Sequence, residues 1–186
     1  MLTKEMMKSD IEKELNGKGD YVQIDMIRRF LKENIPNEIR KFASLKLAEI
    51  YERRSMFSEA AFLYSKLAEL AADYAGRMDC LLKEAGDYIK AGFFEGADAA
   101  ANKITAEVKP MEKTKYSDAV KIFYRTQAGI YEKSKRRSKA AEIYEKMLTL
   151  KGLLDLERTE INNKLFGLYR ELGMVDKYLG MKEKLG

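Results

Sequence analysis

Ala48-Glu49-Ile50-Tyr51 recurs in kind as Ala85-Gly86-Asp87-Tyr88, Ala128-Gly129-Ile130-Tyr131 and Phe166-Gly167-Leu168-Tyr169. Each stretch sets a small or apolar residue three positions before a tyrosine. A few polar or glycine residues follow, and then a second helical pattern. The tyrosines recur every 37 to 43 residues, a period that marks a stacked helical-repeat architecture.

Working outward from the signature, paired helices are predicted over 38–54 and 57–74, 77–91 and 94–108, 115–134 and 137–150, and 155–171 and 174–184. Short connections make each pair an antiparallel hairpin. Pro110 breaks the chain inside a polar linker, Lys109 to Lys115. Upstream, Met7, Ile11 and Leu15 form one stripe of a helix over 3–15, and Gly17-Lys18-Gly19 ends it. A second helix, Tyr21 to Asn34, carries Ile24, Ile27, Leu31 and Ile35 on one face, with Pro36 stopping it and Asn37 placed to cap the next. No stretch shows two-residue alternation between turn signals, so no strands are expected. The expectation is an all-α chain: an N-terminal helical pair over 1–36, a cap or interaction segment, followed by a repeat domain over 37–186.

Composition narrows the chemistry. The 186 residues suffice for one ordinary domain, and 35 % charged with 46 % hydrophobic residues describes a folded chain. Histidine is absent, which removes the commonest general base and metal ligand and every Ser-His or Cys-His nucleophile pair. One cysteine, Cys80, excludes an internal disulfide and agrees with a reducing compartment. The N-terminus, Met1-Leu2-Thr3-Lys4-Glu5, lacks an apolar signal core, and no apolar run approaches a membrane span. A cytoplasmic protein without cofactor or metal is expected, and membrane insertion is not. Cys80, beside Leu81 and Leu82, reads as a buried structural thiol, and carboxylate pairs such as Glu157 and Glu160 as an exposed helix face.

The hairpins resemble tetratricopeptide repeats. That family sets a small residue and then an aromatic on the first helix, and a small residue and then an aromatic on the second. Leu47, Ala48, Tyr51, Phe57, Ala60 and Tyr64 match it closely. Ala85, Tyr88, Gly92, Phe94 and Ala97 follow with Ala101 for the late aromatic, and Ala128, Tyr131, Ala140 and Tyr144 follow with Arg137 at an apolar position. In the fourth copy Leu165, Tyr169, Gly173 and Val175 fit, while Phe166 and Tyr178 replace small residues, as in a terminal capping unit. The resemblance covers about residues 40–182, and the long period is similar to that of the soluble NSF attachment proteins. It implies a right-handed α-solenoid of about four hairpins that acts as a non-enzymatic adaptor, binding a partner peptide or helix in its concave groove.

Carried over from the family, the groove positions are Leu45, Glu49, Glu52 and Arg53; Leu82, Gly86, Ile89 and Lys90; Arg125, Gly129, Glu132 and Lys133; and Asn163, Gly167 and Arg170. Leu45 and Glu49 stand where the family's two-carboxylate clamp has Lys and Asn, so capture of an acidic C-terminal tail in that style is disfavoured. Gly86, Gly129 and Gly167 share one groove position. Each mid-helix glycine costs about 1 kcal/mol relative to alanine, so either a partner backbone approaches there or neighbouring helices pack closely. The alternative surface is a basic ridge at the third hairpin turn, Lys133, Lys135, Arg136, Arg137 and Lys139, suited to nucleic acid or an acidic partner. It lacks interleaved aromatics for base stacking. The N-terminal helices could cap the first repeat, fold into the groove or mediate self-association.

Overall fold

A computed structural model describes residues 2–185, with side chains through Glu183. The described residues form ten α-helices and one 3-10 turn, with no strand. They divide into two units, Met1–Lys109 and Pro110–Gly186. The first holds α1 (Lys8–Leu15), α2 (Asp20–Phe30), α3 (Asn37–Arg53), α4 (Phe57–Glu69), α5 (Tyr74–Ala91) and α6 (Phe94–Glu107). The second holds the turn Pro110–Glu112, α7 (Lys113–Lys133), α8 (Arg137–Leu148), α9 (Asp155–Leu172) and α10 (Val175–Leu185). Among the described residues no helix is long and apolar enough to cross a membrane.

The signature tyrosine closes every hairpin the same way. Its carbonyl accepts from the amide five residues on, Met56 to Tyr51 at 2.8 Å, Phe93 to Tyr88 at 3.0 Å, Arg136 to Tyr131 at 2.8 Å and Met174 to Tyr169 at 2.9 Å. The residue before each donor takes a left-handed backbone, at φ 58° for Ser55, 74° for Gly92, 58° for Lys135 and 66° for Gly173. This is the hydrogen-bond pattern that ends a helix and reverses the chain. The next helix then starts six residues after the tyrosine in all four copies.

Four identical turns give the chain an internal register. Hairpin α3/α4 maps onto α7/α8 at an offset of 80 residues, and α5/α6 maps onto α9/α10 at 81. Hairpins α3/α4 and α5/α6 of the first unit, the first module, thus align in sequence with α7/α8 and α9/α10 of the second unit, the second module. Ala48, Ala60, Ala85, Ala97, Ala128 and Ala140 are all buried, as close helix approach requires. Phe166 and Tyr178 stand where the first module has Ala85 and Ala97. Their rings stack on each other at 4.6 Å, so the bulk on one helix is met by bulk on its partner.

Sequence expectation and structure differ at several ends. Met7 precedes α1 and is exposed, leaving Ile11 and Leu15 as the buried stripe. Pro36, not Asn37, occupies the N-cap of α3, and Asn37 begins the helix without a capping bond. Helix α4 stops at Glu69 because Asp73 caps α5, accepting from the Gly76 amide at 2.8 Å. The two N-terminal helices belong to the core of the first unit, where Ile11, Leu15, Ile24, Ile27 and Phe30 cluster with Ala43, Leu47 and Ile50. Arg40 fixes the end of α2 by donating to the carbonyls of Leu31 at 2.7 Å and Glu33 at 3.0 Å.

Candidate functional site

In the first unit most of the groove positions are engaged in the fold. Ile89 and Gly86 are buried, which corrects their placement on an open surface. Leu45 and Leu82 are half-buried, and Leu45 packs on the core. Arg53 is held by Asp20 of α2 at 2.8 Å, and Glu49 is exposed. Lys90 sits 2.7 Å from Asp87 and 3.6 Å from Glu52, over the Phe57 ring.

The second unit presents its groove positions differently. Lys121 and Arg125 of α7 both reach Glu157 of α9, at 3.2 and 3.1 Å, and Arg125 also lies 3.8 Å from Glu160. Further along, Lys164 of α9 bonds Glu132 of α7 at 3.2 Å, so the two helices run side by side in the same direction. The Glu157 carboxyl is held below its ordinary range, first by the Leu154 amide that donates to it and then by the two cations. Along this ion-paired face Lys133, Asn163 and Arg170 are exposed, while Arg125, Gly129 and Gly167 are partly so. A Cβ built on Gly129 or on Gly167 would meet nothing within 4 Å. Helix packing therefore does not account for these two glycines, although it does place Gly86 in the interior.

All five ridge residues are exposed. Arg137 pairs with Glu171 of α9, and Arg136 lies over the Tyr131 ring at 5.0 Å. Lys139 pairs with Glu142 at 2.8 Å. Lys135, Arg136, Arg137 and Lys139, with Ser138, Glu171 and Leu172, line a shallow open recess. In the first module the same backbone turn is built from Ser55-Met56-Phe57-Ser58-Glu59, so the fold does not demand cations there. Charge follows the same division. Residues 110–186 carry 17 Lys and Arg against 11 Asp and Glu, or +6, whereas 1–109 carry 18 against 19.

Sequence reading missed two buried acids on α5. Glu84 is 3 % exposed and bonds Lys103 of α6 at 2.9 Å. Asp87 is 1 % exposed, and its Oδ2 has no hydrogen-bond partner. Burial first, and the neighbouring Glu52 after it, push the Asp87 carboxyl up to about 6 against the pull of Lys90. The signal was available in the 81-residue register, because the second module sets Leu165 and Leu168, both buried, at these positions. Tyr64 also shows a polar role beyond packing, donating to Glu52 at 2.9 Å; its equivalent Tyr144 lies beside Glu132 and is pushed up to about 12, chiefly by burial.

No protein-family model matches the chain, and neither a curated protein nor a solved structure matches it significantly.

Proposed function

We propose that the chain is a non-enzymatic protein–protein interaction scaffold of the cytoplasm, a tetratricopeptide-like adaptor that takes a partner peptide or helix along the face of α7 and α9. The observation that carries this reading is the pair of mid-helix glycines, Gly129 and Gly167, with open space above both. Together they cost about 2 kcal/mol of helix stability relative to alanine, and no contact inside the chain requires them. A backbone laid along the two helices would. The surrounding Arg125, Asn163 and Arg170 supply donors to its carbonyls and acidic side chains.

The buried hydroxyls and the thiol offer no nucleophile near neutral pH. Burial raises the hydroxyls of Tyr64, Tyr144 and Tyr169 above their ordinary value, and neighbouring carboxylates add to it. Burial likewise raises the Cys80 thiol. None of these is activated as a nucleophile or base near neutral pH. A second reading, an acidic or nucleic-acid partner docked on the Lys133–Lys139 ridge, is favoured by the +6 charge of its unit.

A Cβ at positions 129 and 167 enters open space, so leucine at both should block the track, with far-ultraviolet circular dichroism and the melting temperature checking that the fold is kept. Wild-type protein and the Gly129→Leu, Gly167→Leu variant, used as parallel baits in the native extract, should differ in the proteins they retain. The reading fails if both baits retain the same set.

A further inference from the structure

Within the first unit, acids of α3 and α5 gather around one tyrosine of α4. Tyr64 donates to Glu52 at 2.9 Å, and Glu52, Asp87 and Glu49 add to the effect of burial in raising its hydroxyl. Glu52 is also near enough to Asp87 to raise that carboxyl. A single ammonium answers this pair. Lys90 donates to Asp87 Oδ1 at 2.7 Å and stands 3.6 Å from Glu52 Oε1, too far for a hydrogen bond. Two acceptor oxygens are left over: Glu52 Oε1, with that long contact, and Asp87 Oδ2, buried and without a partner. A buried carboxylate oxygen calls for a donor.

The matching place in the second module is balanced from within. Glu132 aligns with Glu52 and meets Lys164 at 3.2 Å, while Leu168 replaces Asp87. Lys83, which aligns with Lys164, leans over the Tyr64 ring at 5.1 Å and pairs with Asp79 at 3.8 Å. The first module thus holds two acids where the second holds one, and its matching lysine is turned elsewhere. Solvent reaches the cluster at Glu52 and Lys90, whose side chains are 31 % and 37 % exposed. We propose that Asp87 and Glu52 receive the guanidinium of an arginine side chain carried by a partner peptide. Its planar fork gives one N–H to Asp87 Oδ2 and another to Glu52 Oε1, a bridge that the point charge of a lysine does not make. Lys90, resting over the Phe57 ring at 5.2 Å, swings outward to admit it. This site lies in the first unit and does not depend on the glycine track of the second.

The probe is N-acetyl-arginine methylamide, added to full-length protein labelled at its side-chain carboxyl carbons. At pH 7.5, where Asp87 is ionised, roughly millimolar probe should shift the Asp87 and Glu52 signals saturably and leave Glu132 in place. N-acetyl-lysine methylamide should bind several-fold more weakly, and the norleucine analogue should not bind. Asp87→Asn and Glu52→Gln, each keeping an acceptor for its resident donor, should both weaken the arginine probe by about tenfold or more, with melting temperatures checking the fold. Absence of a saturable shift at Asp87 overturns the proposal, as it would if a buried water already satisfied Oδ2. Equal shifts at Glu52 and Glu132, or undiminished affinity in both variants, overturn it as well. Binding of methylguanidinium without binding of the capped arginine assigns the site to a small free cation and overturns the peptide.

Discussion

Replacing Asp87 by asparagine should stabilise the first unit at neutral pH and do so much less in acid. The carboxyl is buried on α5, its Oδ1 accepts from Lys90 at 2.7 Å, and its Oδ2 has no partner. Its pKa rises from the ordinary 3.8 to about 6 in the folded state. A folded-state pKa above the unfolded one means that the folded chain holds the proton more tightly, so stability falls as pH rises through this window. Two pKa units correspond to about 3 kcal/mol, the full cost of the buried charge above pH 7. At pH 4.5 the folded carboxyl is largely protonated while the unfolded one is largely ionised, and the cost is about 1 kcal/mol. Asparagine mimics the neutral carboxyl, keeping an acceptor for Lys90 and offering an amide toward Glu52. The stability difference between variant and wild type should therefore grow by about 2 kcal/mol between pH 4.5 and 7.5. Urea titrations followed by far-ultraviolet circular dichroism measure it, and hydrogen exchange at the α5 amides confines it to the first unit. The comparison must be differential, because Glu107 and Glu157 are shifted the other way and weaken the fold as pH drops. A difference independent of pH, or one that favours wild type more at pH 7.5, would refute the reasoning. Asp87→Leu, which installs the residue found at the matching position 168, should show the same sign.

The hairpin turns give a second test. Ser55 and Lys135 adopt φ 58° without being glycine, so Ser55→Gly and Lys135→Gly should each raise stability by about 0.5–1 kcal/mol, whereas Gly173→Ala should lower it by about 1 kcal/mol, all read from thermal melts. The stacked Phe166 and Tyr178 rings should give a double-mutant coupling of about 0.5–1.5 kcal/mol, and additive single substitutions would mean that the rings do not cooperate. On the ridge, Arg136→Glu with Arg137→Glu lowers the charge of residues 110–186 from +6 to +2. It should abolish any polyanion affinity that declines steeply with salt. An affinity indifferent to both salt and these substitutions excludes the ridge as its source.

The helices and their pairing were legible because Ala48, Tyr51, Ala60 and Tyr64 obey a local rule: small residues where backbones meet, aromatics where space remains. Helix ends were less so: Asp73 acts through a single cap bond that periodicity does not report, and the cap expected at Asn37 falls on Pro36. The surface positions transferred unevenly for a different reason. Ile89 and Gly129 lie on corresponding kinds of helix, but which face is open depends on the neighbours supplied elsewhere in the chain. Asp87 stayed hidden because a lone acid beside a tyrosine reads as solvated until the packing around it is known.

Two copies of one module act as controls for each other. Where both keep a residue type, as with Ala48 and Ala128 or Glu52 and Glu132, packing and hydrogen bonding explain it. Where they diverge at an equivalent backbone position, the first place to look for the cause is the set of neighbours that each copy supplies. Asp87 against Leu168 and Phe57 against Arg137 are two such divergences. The second is compensated internally, since the Phe57–Lys90 contact becomes the Arg137–Glu171 ion pair at the same place.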